Sequence, residues 1–481
     1  MKAIMVMFDT LTRNYLSTYG NNWCITPNFK RLEEKCCVMD RFYGGSMPCM
    51  PARRELHTGK YNFLHRSWGP LEPFDFSVIE SLKNAGVYTH LCTDHSHYFE
   101  DGGCTYHNRY SSWEGFRGQE GDRWMPRLNF TESQTSKYAK KGISVIQHAA
   151  NKSVQRVEED MSSVKTFQAG LKFIQENKDN DGWFLTIESF DPHEPFYVPD
   201  KYRQMYDLSQ DIDLNWPAYM PIDDDLDVTA LRKEYASLIT MCDVYLGKVL
   251  DMMDQNNMWD DTMLIVNTDH GFLLGEHDYL GKNFWPMHQE VIHTPFYIHA
   301  PHQPIGKRQA LCQTIDIAPT LLDYFDLPIP DNMEGKSLLP VVKEDKKIHD
   351  YALFGVHGGH VNITDGDYVF MKASHDDTNQ PFVECTLMPT QMRNFFAKDM
   401  LETMRLVNGD KLSDGIPYLK MKSQTYLQSH MFGDLLFDVR ENEVQIENQT
   451  IQERLQSAMI HMMKAVDAPE EEFERLGIKN L

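Results

Sequence analysis

Ser46-Met47-Pro48-Cys49-Met50-Pro51-Ala52-Arg53-Arg54-Glu55-Leu56-His57-Thr58-Gly59 is the stretch on which the reading of this chain turns. Pro51 suits the first turn of a helix and Ala-Arg-Arg-Glu-Leu continues it well, so Cys49 is expected at a helix start. The unpaired amides and partial positive charge of such an end favour an anion. A nucleophile placed there is expected to be activated and an anionic substrate attracted. Arg53, one turn on, can point back at the same place. The segment alone is equally satisfied by a buried structural cysteine beside an arginine, and its surroundings have to decide.

Working outward, four apolar runs deliver polar residues at their carboxyl ends, where α/β sheets place ligands. Residues 2–8 form a continuous apolar run without alternation, as in a central strand covered on both faces, and end at Asp9-Thr10. A strand at 87–92 leads to Thr93-Asp94-His95-Ser96-His97. Another at 182–189 leads to Asp191-Pro192-His193-Glu194-Pro195, where the two prolines hold the histidine stiffly. The fourth, at 262–266, leads to Asn267-Thr268-Asp269-His270-Gly271, followed by Gly281-Lys282. Asp269 and His270, set opposite Asp9 and Cys49, make a metal cage in which carboxylates fit a hard ion and the histidine also admits manganese or zinc. Helical spacing at 27–35, 76–84, 163–177 and 227–255 fills the intervals between strands.

In this order, the Cys49-x-Pro51-x-Arg53 core with Thr58-Gly59, Asp9, Asp191 to Pro195, Asp269 to Gly271 and Gly281-Lys282 resemble the signature of the sulfatases, within the alkaline phosphatase superfamily. The resemblance covers roughly the first two thirds of the chain, with a weaker echo at the end. It implies an α/β fold with a large, mostly parallel central sheet flanked by helices, and a small C-terminal antiparallel subdomain with a terminal helix. It further implies that Cys49 is oxidised by a formylglycine-generating maturation enzyme, and that the resulting formylglycine is the nucleophile in hydrolysis of a sulfate monoester of a sugar or aryl alcohol. The metal ligands are then Asp9, residue 49, Asp269 and His270 around one divalent ion, calcium first, with magnesium, manganese or zinc as alternatives. Arg53 holds the formylglycine, while Lys282 and His193 contact the transferred group and His193 protonates the leaving alcohol. His95 and His97 are candidates for the substrate pocket. Many family members carry a G-K-x-H element at that point; here the lysine is absent and Asp94 stands in its place. Thr10, where many sulfatases have a second aspartate, together with His270, is closer to the phosphonate monoester hydrolases. A phosphonate monoester or phosphodiester hydrolase is therefore the alternative. A third reading is a metal- or anion-binding protein whose Cys49 is never converted.

At 481 residues, two domains are expected. The boundary falls near residue 345, after Ile329-Pro330-Asp331-Asn332 and the charged run 343–347, giving a catalytic domain at 1–345 and a smaller α+β subdomain at 346–481. Residues 103–150, aromatic-rich and without periodicity, read as an insertion that shapes the pocket or a homo-oligomer contact. The formal charge of -23 argues against nucleic acid or an anionic membrane as partner, and no apolar run approaches the ~18 residues of a membrane span. The N-terminus reads as a strand rather than a leader. Nine irregularly spaced cysteines, an odd number that includes Cys36-Cys37, do not form a disulfide framework, and a cytoplasmic setting is expected.

Overall fold

The computed structural model describes residues 1–129, 131, 136–208 and 214–478. Among these, the central sheet runs Gly306–Arg308, Cys37–Met39, Phe296–His299, Thr262–Thr268, Lys2–Phe8, Trp183–Ser189, Tyr88–Thr93, Ser112–Gly115. Neighbours pair parallel except Phe296–His299, which is antiparallel to both of its own. The expected fold class is the observed one.

The strand Lys2–Phe8 explains its own sequence. Ile4, Val6 and Phe8 pack into a core shared with helices Ser162–Asn177 and Thr229–Gln255. Ala3, Met5 and Met7 face the opposite core, with helices Cys49–Thr58, Val78–Asn84 and Ile317–Tyr324. Both sides are dry, so no polar alternation is possible. Thr262–Thr268 and Trp183–Ser189 flank this strand on either side in register, and Tyr88–Thr93 follows. The four parallel strands therefore bring the candidate residues at their carboxyl ends to one rim.

The stretch 103–150 is less of an appendage than its sequence suggests. Ser112–Gly115 forms an edge strand of the central sheet, and Ile143–Lys152 is a helix. Their short, polar or exposed segments carry no periodic signal.

The C-terminal part contains a second sheet, in the order Val444–Gln445, Leu435–Asp438, Tyr368–Lys372, Val361–Thr364, Ala352–Val356, Ser46–Met47. Helix Gln449–Ala465 covers it with Leu455, Met459 and Met463. Its last strand belongs to the N-terminal half: Ser46 and Met47 pair parallel with Gly355 and Val356, immediately before Cys49. A small antiparallel sheet, Val383–Thr386, Tyr418–Lys422 and Arg405–Val407, lies beside it in sequence. No helix among the described residues is long and apolar enough to cross a membrane.

Candidate active site

Cys49 is the first residue of helix Cys49–Thr58, every residue of which is buried, and the helix ends at Gly59 in a left-handed conformation (φ 63°). Its Sγ lies 3.2 Å from His270 Nε2, 3.7 Å from Asp9 Oδ1 and 3.8 Å from Lys282 Nζ. Donor atoms of Asp9, Cys49, Asp269 and His270 all fall within 4.8 Å of one another. Two separate strand ends and a helix start thus converge on one point.

The donor set fits a divalent cation. His270 Nδ1 faces the main-chain oxygen of Gly271 at 3.0 Å, which can only accept, so that nitrogen carries the proton and Nε2 is left bare toward Cys49. Asp9 and Asp269, both fully buried, bring two carboxylates into the site, more negative charge than the one guanidinium of Arg53 that pairs with both can neutralise. Thr10 O–H donates to Asp9 Oδ1 (2.7 Å), and the amides of Thr10 and His270 donate to Asp269 Oδ1 (3.0 and 2.8 Å). These bonds fix the orientation of the carboxylates. Thr10 holds φ 64°, an uncommon strain for a β-branched residue, and this places its amide on Asp269.

Arg53 does point back. Its guanidinium, 2% exposed, pairs with Asp9 Oδ2 (2.9 Å), Asp269 Oδ2 (2.8 Å) and Glu188 Oε1, and donates to the Cys49 carbonyl at 2.9 Å. Lys282 donates to Thr10 Oγ1 at 3.0 Å and is 96% buried. His193 Nε2 sits 4.0 Å from Asp9 Oδ1. His95 Nε2 lies 3.5 Å from Asp9 Oδ2 and is wholly buried, whereas His97 lines the cavity and gives Nδ1 to Glu100 at 2.8 Å.

Burial, and then the charge of Asp9, push the Cys49 thiol well above its ordinary value. Burial and Asp269 likewise raise Asp9. Asp269 is held below the usual carboxylate range because His270, Arg53 and Lys282 together outweigh the opposing effect of burial. Burial pushes His270 down to about 3, so it is neutral and ready to ligate.

Above this floor opens a cavity of about 480 Å³. Cys49, His97, His193 and Lys282 line its base; Trp68, Tyr219, Phe382 and Tyr426 supply rings, and Asn283, Gln391, Asn394 and Gln424 supply amides. Residues from both ends of the chain form the wall. Sequence reasoning missed Glu188, Arg393 and Glu120, which lines the cavity with Oε1 4.0 Å from His193 Nδ1. Glu188 had a signal, a single acid in the buried run Trp-Phe-Leu-Thr-Ile-Glu-Ser; Arg393, held by Glu100 at 2.9 Å, had none.

The sequence profile of the sulfatase family matches residues 2–327, and that of the N-sulphoglucosamine sulphohydrolase C-terminal region matches residues 275–412. The chain therefore belongs to the sulfatase family, whose members are sulfuric ester hydrolases. It is 24% identical over 462 residues to an arylsulfatase of Clostridium perfringens, covering 87% of this chain and 92% of that one. Its fold is similar to that of BT4656 solved with its substrate D-glucosamine-2-N,6-O-disulfate (TM-score 0.66, 14% identity, 98% and 99% of the two chains). It is also similar to the phosphonate monoester hydrolase SpPMH of Silicibacter pomeroyi (TM-score 0.63, 16% identity, 98% and 96%).

Proposed function

We propose that the chain hydrolyses a saccharide sulfate monoester, using formylglycine made from Cys49. The observation that carries this is the convergence of Cys49, Asp9, Asp269, His270, Arg53, Lys282 and His193 at the floor of one cavity. In the hydrated aldehyde, one hydroxyl gives its proton to water and attacks sulfur, and the S–O bond to the alcohol breaks. His193, protonated at Nε2, gives the departing oxygen its proton. The second hydroxyl then returns a proton to His193, the bond to the sulfate oxygen breaks, sulfate leaves and the aldehyde re-forms, to be hydrated again by water. A divalent cation held by Asp9, Asp269, His270 and residue 49, calcium being our first choice, would acidify the attacking hydroxyl and offset the charge of the sulfate. Arg53 fixes the carboxylates and the Cys49 backbone; Lys282, whose charge burial opposes but the surrounding anionic groups more than restore, binds a sulfate oxygen. His97 lies on the cavity wall and contacts the leaving group, while His95 acts from behind Asp9. Rings alternating with amides suit a polyhydroxylated leaving group better than a purely aryl one.

A second reading is supported by Thr10 and His270: the same site acting on a phosphonate monoester or phosphodiester. Comparing turnover of an aryl sulfate and an aryl phosphonate separates the two, and a phosphonate preference of orders of magnitude overturns the first. The tryptic peptide Phe42 to Arg53, from protein made in its own organism, tests both. Its mass is expected to show conversion of the Cys49 thiol to the aldehyde; an untouched thiol sinks the hydrolase mechanism and favours a binding protein. We further propose a cytoplasmic protein, supported by nine free cysteines, of which eight are buried.

A further inference from the structure

We infer that Glu194 is a positioning residue that fixes the tautomer and orientation of His193 and the placement of Lys282; this rests on the proposed role of His193 as proton donor to the leaving group. His193 Nδ1 faces two oxygens of its chain neighbour, the Glu194 main-chain oxygen at 2.5 Å and carboxylate Oε2 at 3.2 Å. Both oxygens accept, so Nδ1 carries the hydrogen and the opposite nitrogen, Nε2, is the one that exchanges a proton. That nitrogen is turned toward Asp9 and the floor of the cavity.

The same carboxylate reaches Lys282 Nζ at 3.7 Å from Oε2, and the Tyr219 hydroxyl donates to Oε1. One anion thus touches both groups proposed to contact the transferred sulfate, with a tyrosine holding its far oxygen. Glu194 is 1% exposed and does not line the cavity, whereas His193, Lys282 and Tyr219 do. It therefore acts through them and not on the substrate. Its place between His193 and Pro195 leaves the loop little freedom to present another oxygen. As the imidazole gains a second hydrogen for transfer, the Glu194 carboxylate at 3.2 Å is the nearest counter-charge, ahead of Glu120 Oε1 and Asp9 Oδ1, each at 4.0 Å.

The test uses a series of aryl esters, sulfate or phosphonate according to which the parent protein turns over, graded from 4-nitrophenyl to unsubstituted phenyl. A nitrophenolate leaves without a proton; a phenolate needs one. Glu194→Gln is expected to lose on the order of 10²-fold in kcat/KM on the phenyl ester but less than ~5-fold on the nitrophenyl ester, with Glu194→Asp recovering part of the difference. A loss equal across the series, or no loss, overturns the inference. His193→Ala, measured in parallel, separates the two levels. If it shows the leaving-group dependence and Glu194→Gln does not, only the inference fails. If His193→Ala is itself flat, the proton-donor reading fails and the inference with it. Should Glu194→Gln not fold, Tyr219→Phe removes only the hydrogen bond to Oε1, and the same tilt at smaller amplitude is expected from it.

Discussion

At residue scale Arg53 ties together the buried charges of the site. Three buried carboxylates, Asp9, Glu188 and Asp269, have it in common. Arg53→Ala strips them of a shared partner, and truncating one member of a buried ion pair costs about 3–5 kcal/mol. Urea unfolding is expected to show a loss of this size, with turnover falling below detection. Glu55 gives a pH signature. Burial raises its carboxyl to about 8, although the Ser46 amide and hydroxyl donate to it at 2.6 and 2.5 Å. The folded state therefore binds a proton that the unfolded chain releases above about 4.5. Its contribution is fully present below pH 4.5 and is lost progressively as pH rises to about 8, by up to ~1.4 kcal/mol per pH unit. Glu55→Gln is expected to flatten that slope in denaturation midpoints measured at pH 5 to 8; an unchanged slope contradicts the assignment. Residues with local punctuation were legible in the sequence: Asp9, His193, Asp269 and His270 each follow an apolar run that ends abruptly. Glu188 was marked only as a lone acid in a buried run, and Glu194 lay beside a signal without one of its own; the role of each depends on which strands are neighbours, a property of the sheet order.

At the scale of elements, the loop after Thr262–Thr268 shows why Asp-His ends in glycine. A Cβ on Gly271 would come within 2.0 Å of the Glu290 carbonyl oxygen and 2.9 Å of Thr12 Oγ1, while its amide donates to Val291 at 2.8 Å. Backbone cannot move aside as a flexible side chain can, so Gly271→Ala is expected to shift the loop carrying Asp269 and His270. Calorimetric titration with calcium or manganese should then show affinity reduced at least about tenfold, as for other losses of support behind metal ligands. Unchanged affinity would mean that the loop absorbs the methyl group elsewhere. The long elements were readable because both faces of each parallel strand are covered and each helix has one apolar stripe. Ser112–Gly115 and Val361–Thr364 escaped, since an edge strand of four residues and a short strand between turns leave too few residues to establish a period.

At the scale of the whole molecule, we propose two parts, 1–345 and 346–481, that fold as one. Tyr61, Phe63, Leu64 and Ile315 from the first part share a core with Leu353, Phe370, Leu455 and Met463 from the second. Ser46 and Met47 complete the second part's sheet directly ahead of Cys49, through pairing with Gly355 and Val356. A chain ended at residue 345 would expose that core and release the strand that sets the start of the helix beginning at Cys49. Buried apolar area contributes about 25 cal/mol per Å², so the loss of four large side chains' partners exceeds the margin of most domains. The shortened chain is expected to be aggregation-prone, to bind a hydrophobic dye and to lack turnover. The full chain is expected to unfold in one transition, with tryptophan fluorescence and far-ultraviolet dichroism coincident. Trp68 reports on the cavity wall, Trp285 on the apolar cluster that contains Phe354 and Phe437, and Trp183 on the central sheet, so two separated transitions would show the parts to be independent and would remove the argument that the C-terminal sheet positions Cys49.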